Sequence, residues 1–219
     1  SSEGSESVSE NPTAPIEEVK PVEEKQQEVK EEVKPEESVA ETKPAEAVSV
    51  SPHLKYETEG DAVTITGCDK KASGTITIPA TIEGNPVTSI GDAAFHSCSS
   101  LTSIAIPDGV TSIGTVAFSR CNNLTSITIP DSVTSIGGSA FYRCTSLMDI
   151  TIPDSVTSIG NDAFRYCTSL TSITIPDSVT SIGENAFYQC TGLTSITIGN
   201  GVTSIGDGAF NLCARLTSI

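Results

Sequence analysis

The sequence predicts a solenoid of parallel β strands with short helical turns, built from repeats of 23 residues. Leucine, phenylalanine and cysteine each recur at that constant step, which indicates that every copy presents the same structural unit to its neighbours. Because one copy cannot bury its apolar side chains alone, stacked copies are expected to share a continuous core. The three series are Leu101, Leu124, Leu147, Leu170, Leu193 and Leu216; Phe95, Phe118, Phe141, Phe164, Phe187 and Phe210; and Cys98, Cys121, Cys144, Cys167, Cys190 and Cys213.

Each repeat is predicted to begin with a short strand, as the unit Leu124–Cys144 illustrates. Ile127 and Ile129 alternate with small polar residues, which is the period expected of a strand with one buried face. Strands from successive repeats must run parallel, because the chain returns to the same place after each full coil. A parallel sheet that runs along the stack is therefore predicted.

The rest of the repeat is predicted to turn twice. Pro130 removes a backbone donor and Asp131 offers side-chain acceptors, so the first strand should end there in a turn. Val133 and Ile136 then point inward along a second short extended segment. Residues 140–144 are predicted to form one turn of helix that carries Ala, Phe and Cys inward.

The unit Leu170–Cys190, Leu-Thr-Ser-Ile-Thr-Ile-Pro-Asp-Ser-Val-Thr-Ser-Ile-Gly-Glu-Asn-Ala-Phe-Tyr-Gln-Cys, resembles the BspA-like class of bacterial leucine-rich repeats. The resemblance covers residues 54–219, and several fixed positions recur in every copy. It implies a right-handed, curved leucine-rich repeat solenoid. Proteins similar to this are often surface adhesins that bind host matrix glycoproteins, and the resemblance implies no catalytic residues.

The two ends of the predicted repeat domain, residues 51–219, depart from the pattern. Residues 54–66 are predicted to form a β-hairpin that caps the first repeat, and five extra residues around Glu83–Pro86 are predicted to form a loop. At the other end, Leu216–Ile219 opens a new strand without a polar cap. Either the chain was cut from a longer array, or this end self-associates with another copy.

Residues 1–50 have the composition of a disordered acidic tail rich in Pro, Glu, Lys and Val, with no aromatic residue. Such a tail could hold the repeat domain away from an anchor at the cell surface, or it could be a solubilising leader or linker. No apolar run reaches the length of a membrane span. The formal net charge of −16 lacks the basic footprint that phosphate binding requires, so a nucleic-acid partner is not expected.

No enzyme, metal or cofactor is predicted. The chain has only two histidines and neither a nucleophile elbow nor a phosphate-binding glycine loop. The cysteines lack Cys-x-x-Cys spacing, so they are expected to be buried free thiols that pack as small hydrophobes. An aspartate follows proline in four repeats and is expected to accept backbone hydrogen bonds in a turn; calcium binding is the weaker alternative. These residues are Asp108, Asp131, Asp154 and Asp177.

The positions between each Phe and Cys vary, and they are predicted to line one ridge. Tyr and Arg are enriched at binding hot spots and cluster there in the middle repeats. The alternative is that these side chains only cover the turns and pack their stems over the core edge. The candidate partner-binding residues are Arg120, Tyr142, Arg143, Arg165, Tyr166 and Tyr188.

A second candidate surface is the exposed side of the strands, which is almost uncharged and could adhere through many weak contacts. It carries Ser103, Ser126, Thr128, Asp149, Thr151, Ser172, Thr174, Ser195 and Thr197. The predicted function is a non-catalytic binding or adhesion module at the cell surface or outside the cell, with a protein or glycoprotein partner such as host matrix. The alternative is a structural module that assembles by stacking.

Overall fold

A computed structural model of the chain describes residues 51–218; the predicted tail at residues 1–50 and Ile219 lie outside the described residues. Fifteen short strands make up the regular structure of this part, and none of its residues is helical. The strands are β1 Leu54–Glu59, β2 Ala62–Cys68, β3 Gly74–Thr77, β4 Thr81–Ile82, β5 Asn85–Ile90, β6 Leu101–Ala105, β7 Ser112–Ile113, β8 Ser126–Thr128, β9 Ser135–Ile136, β10 Asp149–Ile150, β11 Ser158–Ile159, β12 Ser172–Ile175, β13 Ser181–Ile182, β14 Ser195–Ile198 and β15 Ser204–Ile205.

The predicted capping hairpin is confirmed. β1 and β2 pair antiparallel, and Gly60 makes the turn between them with a φ of 59°. The five extra residues, predicted as a loop, form less loop than expected and are largely paired. β4 and β5 pair as a tight hairpin, because Glu83 and Gly84 both have positive φ, as a two-residue turn of the hairpin type requires. The Tyr56 hydroxyl donates to Glu83 Oε1 at 3.1 Å and ties this hairpin to the cap.

The predicted parallel stacking is confirmed in two separate sheets. The first sheet extends from the cap in the order β1-β2-β5-β7-β9-β11-β13-β15, with each isoleucine facing the isoleucine one repeat away. The second sheet contains β3, β6, β8 and β10 in that spatial order, and β12 and β14 continue it as a separate pair. Each full coil thus contributes one strand to each side of the core.

The core is built from columns of identical residues. Every leucine from Leu101 to Leu193 and every phenylalanine from Phe95 to Phe187 is fully buried. Neighbouring phenylalanine rings stack nearly parallel, with centroids between 5.2 and 5.5 Å apart. The inward orientation predicted for the apolar ladder is therefore confirmed, and the step from one coil to the next is about that of a parallel sheet.

The predicted helical turn before each cysteine is wrong, and the backbone explains why. In the third copy the amides of Ala140, Tyr142 and Cys144 donate to carbonyls three residues back, whereas those of Phe141 and Arg143 donate to the next repeat. This alternation requires a left-handed residue at every fourth position, and Arg143 has a φ of 58°. Because a right-handed helix cannot include such residues, the segment is a stack of turns joined between coils. We call this side the turn face; it comprises residues 91–98, 114–121, 137–144, 160–167, 183–190 and 206–213.

All seven cysteines are free thiols, and the five from Cys98 to Cys190 are fully buried. The thiols do more than fill space. Cys121 Sγ donates to the carbonyl of Phe95 in the preceding coil at 3.1 Å, and Cys144 Sγ donates to that of Phe118 at the same distance. Burial raises the pKa of Cys121 and of Cys167 to about 12, so both remain protonated donors at neutral pH.

Candidate functional site

The turn face carries two parallel columns of variable side chains. The first column follows each buried phenylalanine, and the second precedes each buried cysteine. In three successive coils Tyr and Arg alternate between the columns: Tyr142 beside Arg143, then Arg165 beside Tyr166, then Tyr188. The inter-coil hydrogen bond from the Arg143 amide to the Arg165 carbonyl, at 2.9 Å, fixes the spacing of these rows. We call Arg120, Tyr142, Arg143, Arg165, Tyr166 and Tyr188 the Tyr–Arg ridge.

The alternation brings aromatic rings and guanidinium groups into direct contact. The Tyr142 and Tyr166 rings meet edge to face at 5.7 Å between centroids, and Tyr166 meets Tyr188 at 5.9 Å. The Arg143 guanidinium carbon lies 5.1 Å from the Tyr166 centroid and 5.5 Å from that of Tyr142. Arg165 lies 5.2 Å from Tyr166 and 4.6 Å from Tyr188. Each arginine is therefore held between two tyrosines by cation–π attraction.

Arg165 has one further partner, which the sequence analysis missed. Its Nη1 donates to Asp162 Oδ1 at 2.8 Å, while its buried Nε has no hydrogen-bond partner. The hydrogen bond to Asp162, followed by that to Tyr166, raises the pKa of Arg165 above its ordinary value, so the group stays charged. The spacing of three residues between opposite charges was the signal for this pair.

The structure brings five of the six predicted binding residues into one contiguous cluster. Tyr142, Arg165, Tyr166 and Tyr188 are half-buried, so they also cover the core edge, as the alternative interpretation requires. Arg143 is exposed. Arg120 is exposed as well and joins the cluster only through its amide, which donates to the Tyr142 carbonyl at 2.7 Å.

His96 lies in the first column, one coil before Arg120, at the amino-terminal end of the ridge. Burial lowers its pKa below the ordinary value, and the nearby cations Lys70 and Arg120 lower it further. Its buried Nδ1 has no hydrogen-bond partner. The neutral ring is therefore favoured in the folded protein.

The second candidate surface, on the strand side, contains an irregularity that the sequence analysis also missed. β10 and β12 do not pair as a ladder, and a groove of about 500 Å³ lies along this break. Met148 and Asp149 replace the usual Thr-Ser there, and Met148 is 53% exposed. The groove is lined by Asp149, Asp154 and Asp177 among threonines and isoleucines. The replacement of Thr-Ser by Met148 and Asp149 was the sequence signal for this break and its groove.

Of the four predicted turn aspartates, Asp177 alone accepts a backbone hydrogen bond within residues 51–218: the Asn200 amide, one coil further on, donates to its Oδ1 at 2.7 Å. Within residues 51–218, no three His, Cys, Asp or Glu side chains converge as metal ligands would. In the same part of the chain, no helix is long and apolar enough to cross a membrane.

Parallel coils of 23 residues around columns of buried leucine define a leucine-rich repeat protein. Residues 88–217 match six copies of the BspA type leucine-rich repeat region. This match covers more than half of the sequence, and the chain belongs to the BspA-type leucine-rich repeat family. The predicted family is thus confirmed.

Two solved structures support the assignment. A leucine-rich repeat protein of T. pallidum is 32% identical, with a TM-score of 0.69, and the alignment covers 77% of this chain and 91% of that one. A leucine-rich cell surface protein of Faecalibacterium prausnitzii is 37% identical, with a TM-score of 0.58. That alignment covers 77% of this chain and 52% of the other, so the chain spans about half of that relative. No curated protein sequence matches the chain.

Proposed function

We propose that this protein is a non-catalytic binding module, displayed at the cell surface or outside the cell, that contacts a protein or glycoprotein through the Tyr–Arg ridge. The observation that carries the proposal is the interleaving of Arg143 and Arg165 with three tyrosines, at 4.6 to 5.5 Å from ring centroids. Tyr and Arg supply most of the energy at many protein interfaces. Here they stand side by side on a rigid scaffold.

The contacts within the ridge favour binding for a second reason. A free arginine loses considerable rotamer entropy when it is immobilised at an interface. Because Arg143 and Arg165 already rest against tyrosine rings, part of that cost is met before a partner arrives. The description of the F. prausnitzii relative as a cell surface protein supports the proposed location.

The experiment compares the full chain with a fourfold variant in adhesion to immobilised matrix and cell-surface extracts. Tyr142, Arg143, Arg165 and Tyr166 are all changed to serine, because Ser119 and Ser97 occupy the two ridge columns in other coils. Adhesion should fall while circular dichroism shows that the fold is retained; because the half-buried tyrosines cover the core edge, the unfolding midpoint should drop, and adhesion is measured below the midpoints of both proteins. As a matched control, Thr128, Thr174 and Thr197 on the strand side are changed to serine. Equal adhesion by the parent and the ridge variant would refute the proposal.

A second candidate function is assembly by stacking of coils. In the last described coil Ile205 is 50% exposed and Leu212 is 53% exposed, whereas Ile182, the equivalent of Ile205 one coil earlier, is 2% exposed. Another coil placed on this face, from a longer repeat array or from a second copy, would cover Ile205 as Ile182 is covered. Light scattering tests this function: Ile205→Ser and Leu212→Ser together should abolish any dimer, and a monomeric parent at micromolar concentration would rule it out.

A further inference from the structure

We infer that the Tyr–Arg ridge recognises its partner through anionic groups and that the part it binds is an acidic polysaccharide chain, carboxylated or sulfated, of the kind that a glycoprotein can carry. This inference rests on the proposed function, because it specifies what the same surface binds. Its basis is the set of hydrogen-bond donors on the ridge that have no partner within residues 51–218.

The faces of the tyrosine rings are largely occupied. Both Arg143 and Arg165 lie over the Tyr166 ring, at 5.1 and 5.2 Å from its centroid. The ring of Tyr188 is covered by Arg165 at 4.6 Å. A partner therefore meets guanidinium N–H groups and phenol hydroxyls more than open ring faces, and these groups are hydrogen-bond donors that favour oxygen acceptors.

On an acidic protein the ridge places three arginines in successive coils, on a turn face that also carries four carboxylates. The chain carries four arginines against a net charge of −16, and Arg120, Arg143 and Arg165 occupy three successive coils of the turn face. Among residues 51–218, Arg165 alone of the three lies within 4.0 Å of a carboxylate, that of Asp162. Other carboxylates of the turn face, those of Asp92, Glu184 and Asp207, make no ion pair with the ridge.

Arg120 and Arg143 thus offer guanidinium groups with no carboxylate partner among the described residues. The planar fork of arginine matches the two oxygens of a carboxylate or sulfate group better than lysine does. Because the coils are about one strand spacing apart, these cations form a row. A polymer with a charged group on successive units can meet such a row with several contacts at once.

A polysaccharide fits this surface better than an acidic peptide. Peptides are usually held by an exposed sheet edge, an apolar groove or a side-chain pocket. Backbone donors of the turn face are spent between coils, as with the Arg143 amide on the Arg165 carbonyl. The 500 Å³ groove lies on the strand side instead, where Asp149, Asp154 and Asp177 line it and no Lys or Arg offsets their charge.

The test measures binding of the full chain to immobilised heparin, a sulfated glycosaminoglycan, and to hyaluronan, which carries carboxylates alone. Uncharged dextran and poly-glutamate serve as the neutral-glycan and acidic-peptide arms. We expect binding to one or both acidic glycans that weakens as salt is raised. Arg120→Ser and Arg143→Ser should each weaken it about tenfold, as the loss of a charge-assisted hydrogen bond would. Arg143→Lys should recover part of the loss, because it restores the charge without the fork.

Arg215→Ser is the matched control, since it removes an equal charge from an exposed position off the ridge. Equal weakening by Arg215→Ser, equal binding of dextran, or equally tight binding of poly-glutamate would overturn the inference. If neither glycan binds, while the fourfold serine variant still loses adhesion to extracts, the inference fails and the proposed function stands. If adhesion to extracts does not depend on the ridge, the proposed function itself fails.

Discussion

Truncating Phe141 to alanine removes one ring from the middle of the phenylalanine column. The side chain is fully buried, and its ring stacks on Phe118 at 5.3 Å and on Phe164 at 5.2 Å. Burial of this kind makes a Phe→Ala change cost about 3 to 5 kcal/mol of unfolding free energy. Two stacking partners and rigid neighbouring coils leave the site little room to collapse. The expected loss is therefore about 4 to 5 kcal/mol, the upper half of that range.

Phe210→Ala provides the internal comparison. Phe210 is half-buried and stacks on one ring alone, that of Phe187 at 5.5 Å, so its truncation should cost roughly half as much. The free energy of unfolding of the full chain is measured by urea denaturation, followed by circular dichroism. A loss below about 1 kcal/mol for Phe141→Ala would contradict the reasoning, given the usual cost of a buried aromatic truncation. Equal losses at the two positions would contradict it as well.

Three further predictions follow from the turn face and the thiols. Val116 is β-branched yet has a φ of 51°, so Val116→Asn should raise the unfolding free energy by about 1 kcal/mol. Asn185→Val at the equivalent position should lower it. Denaturation midpoints that move the other way would exclude strain at this position. A thiol reagent should modify the half-buried Cys68 and Cys213 quickly in the native protein and the other five cysteines after unfolding, whereas six fast thiols would refute burial of the ladder. Because burial lowers the pKa of His96, the unfolded chain binds its proton more readily; the stability contributed by the neutral ring is therefore present above about pH 6.5 and is lost as pH falls from there through the lower pKa of the folded state. His96→Asn should remove this component from unfolding curves measured between pH 7 and 5, and an unchanged slope would count against the assignment.

The core could be predicted from sequence because each column repeats at one step. Leu124, Phe141 and Cys144 have equivalents in every copy, so period alone decides which side chains point inward. The Tyr–Arg ridge could be located for the complementary reason: its positions vary between fixed neighbours. Its contacts could not be predicted, because they depend on which rings and guanidinium groups meet across coils.

The turn face was predicted wrongly because its sequence carries no signal for left-handed backbone. The residues with positive φ include Ala93, Val116, Ser139 and Asp162, and only the last copy has glycine at this position, Gly208. An Ala-Phe pair followed by Cys at a spacing of three has the period of one helical turn. Hydrogen bonds between successive coils override that local preference.

The alternating amide pattern of the turn face has a consequence for how such a chain can change its length. The carbonyls of each interior coil accept hydrogen bonds from amides of the coil before it, and its own amides donate to carbonyls of the coil after it. Any interior coil can therefore follow any other. Duplication or deletion of one whole unit, such as one of the nearly identical copies at 124–146 and 170–192, leaves every column in register. Recombination between copies would therefore lengthen or shorten the Tyr–Arg ridge by whole coils, and the packing of the core would stay the same.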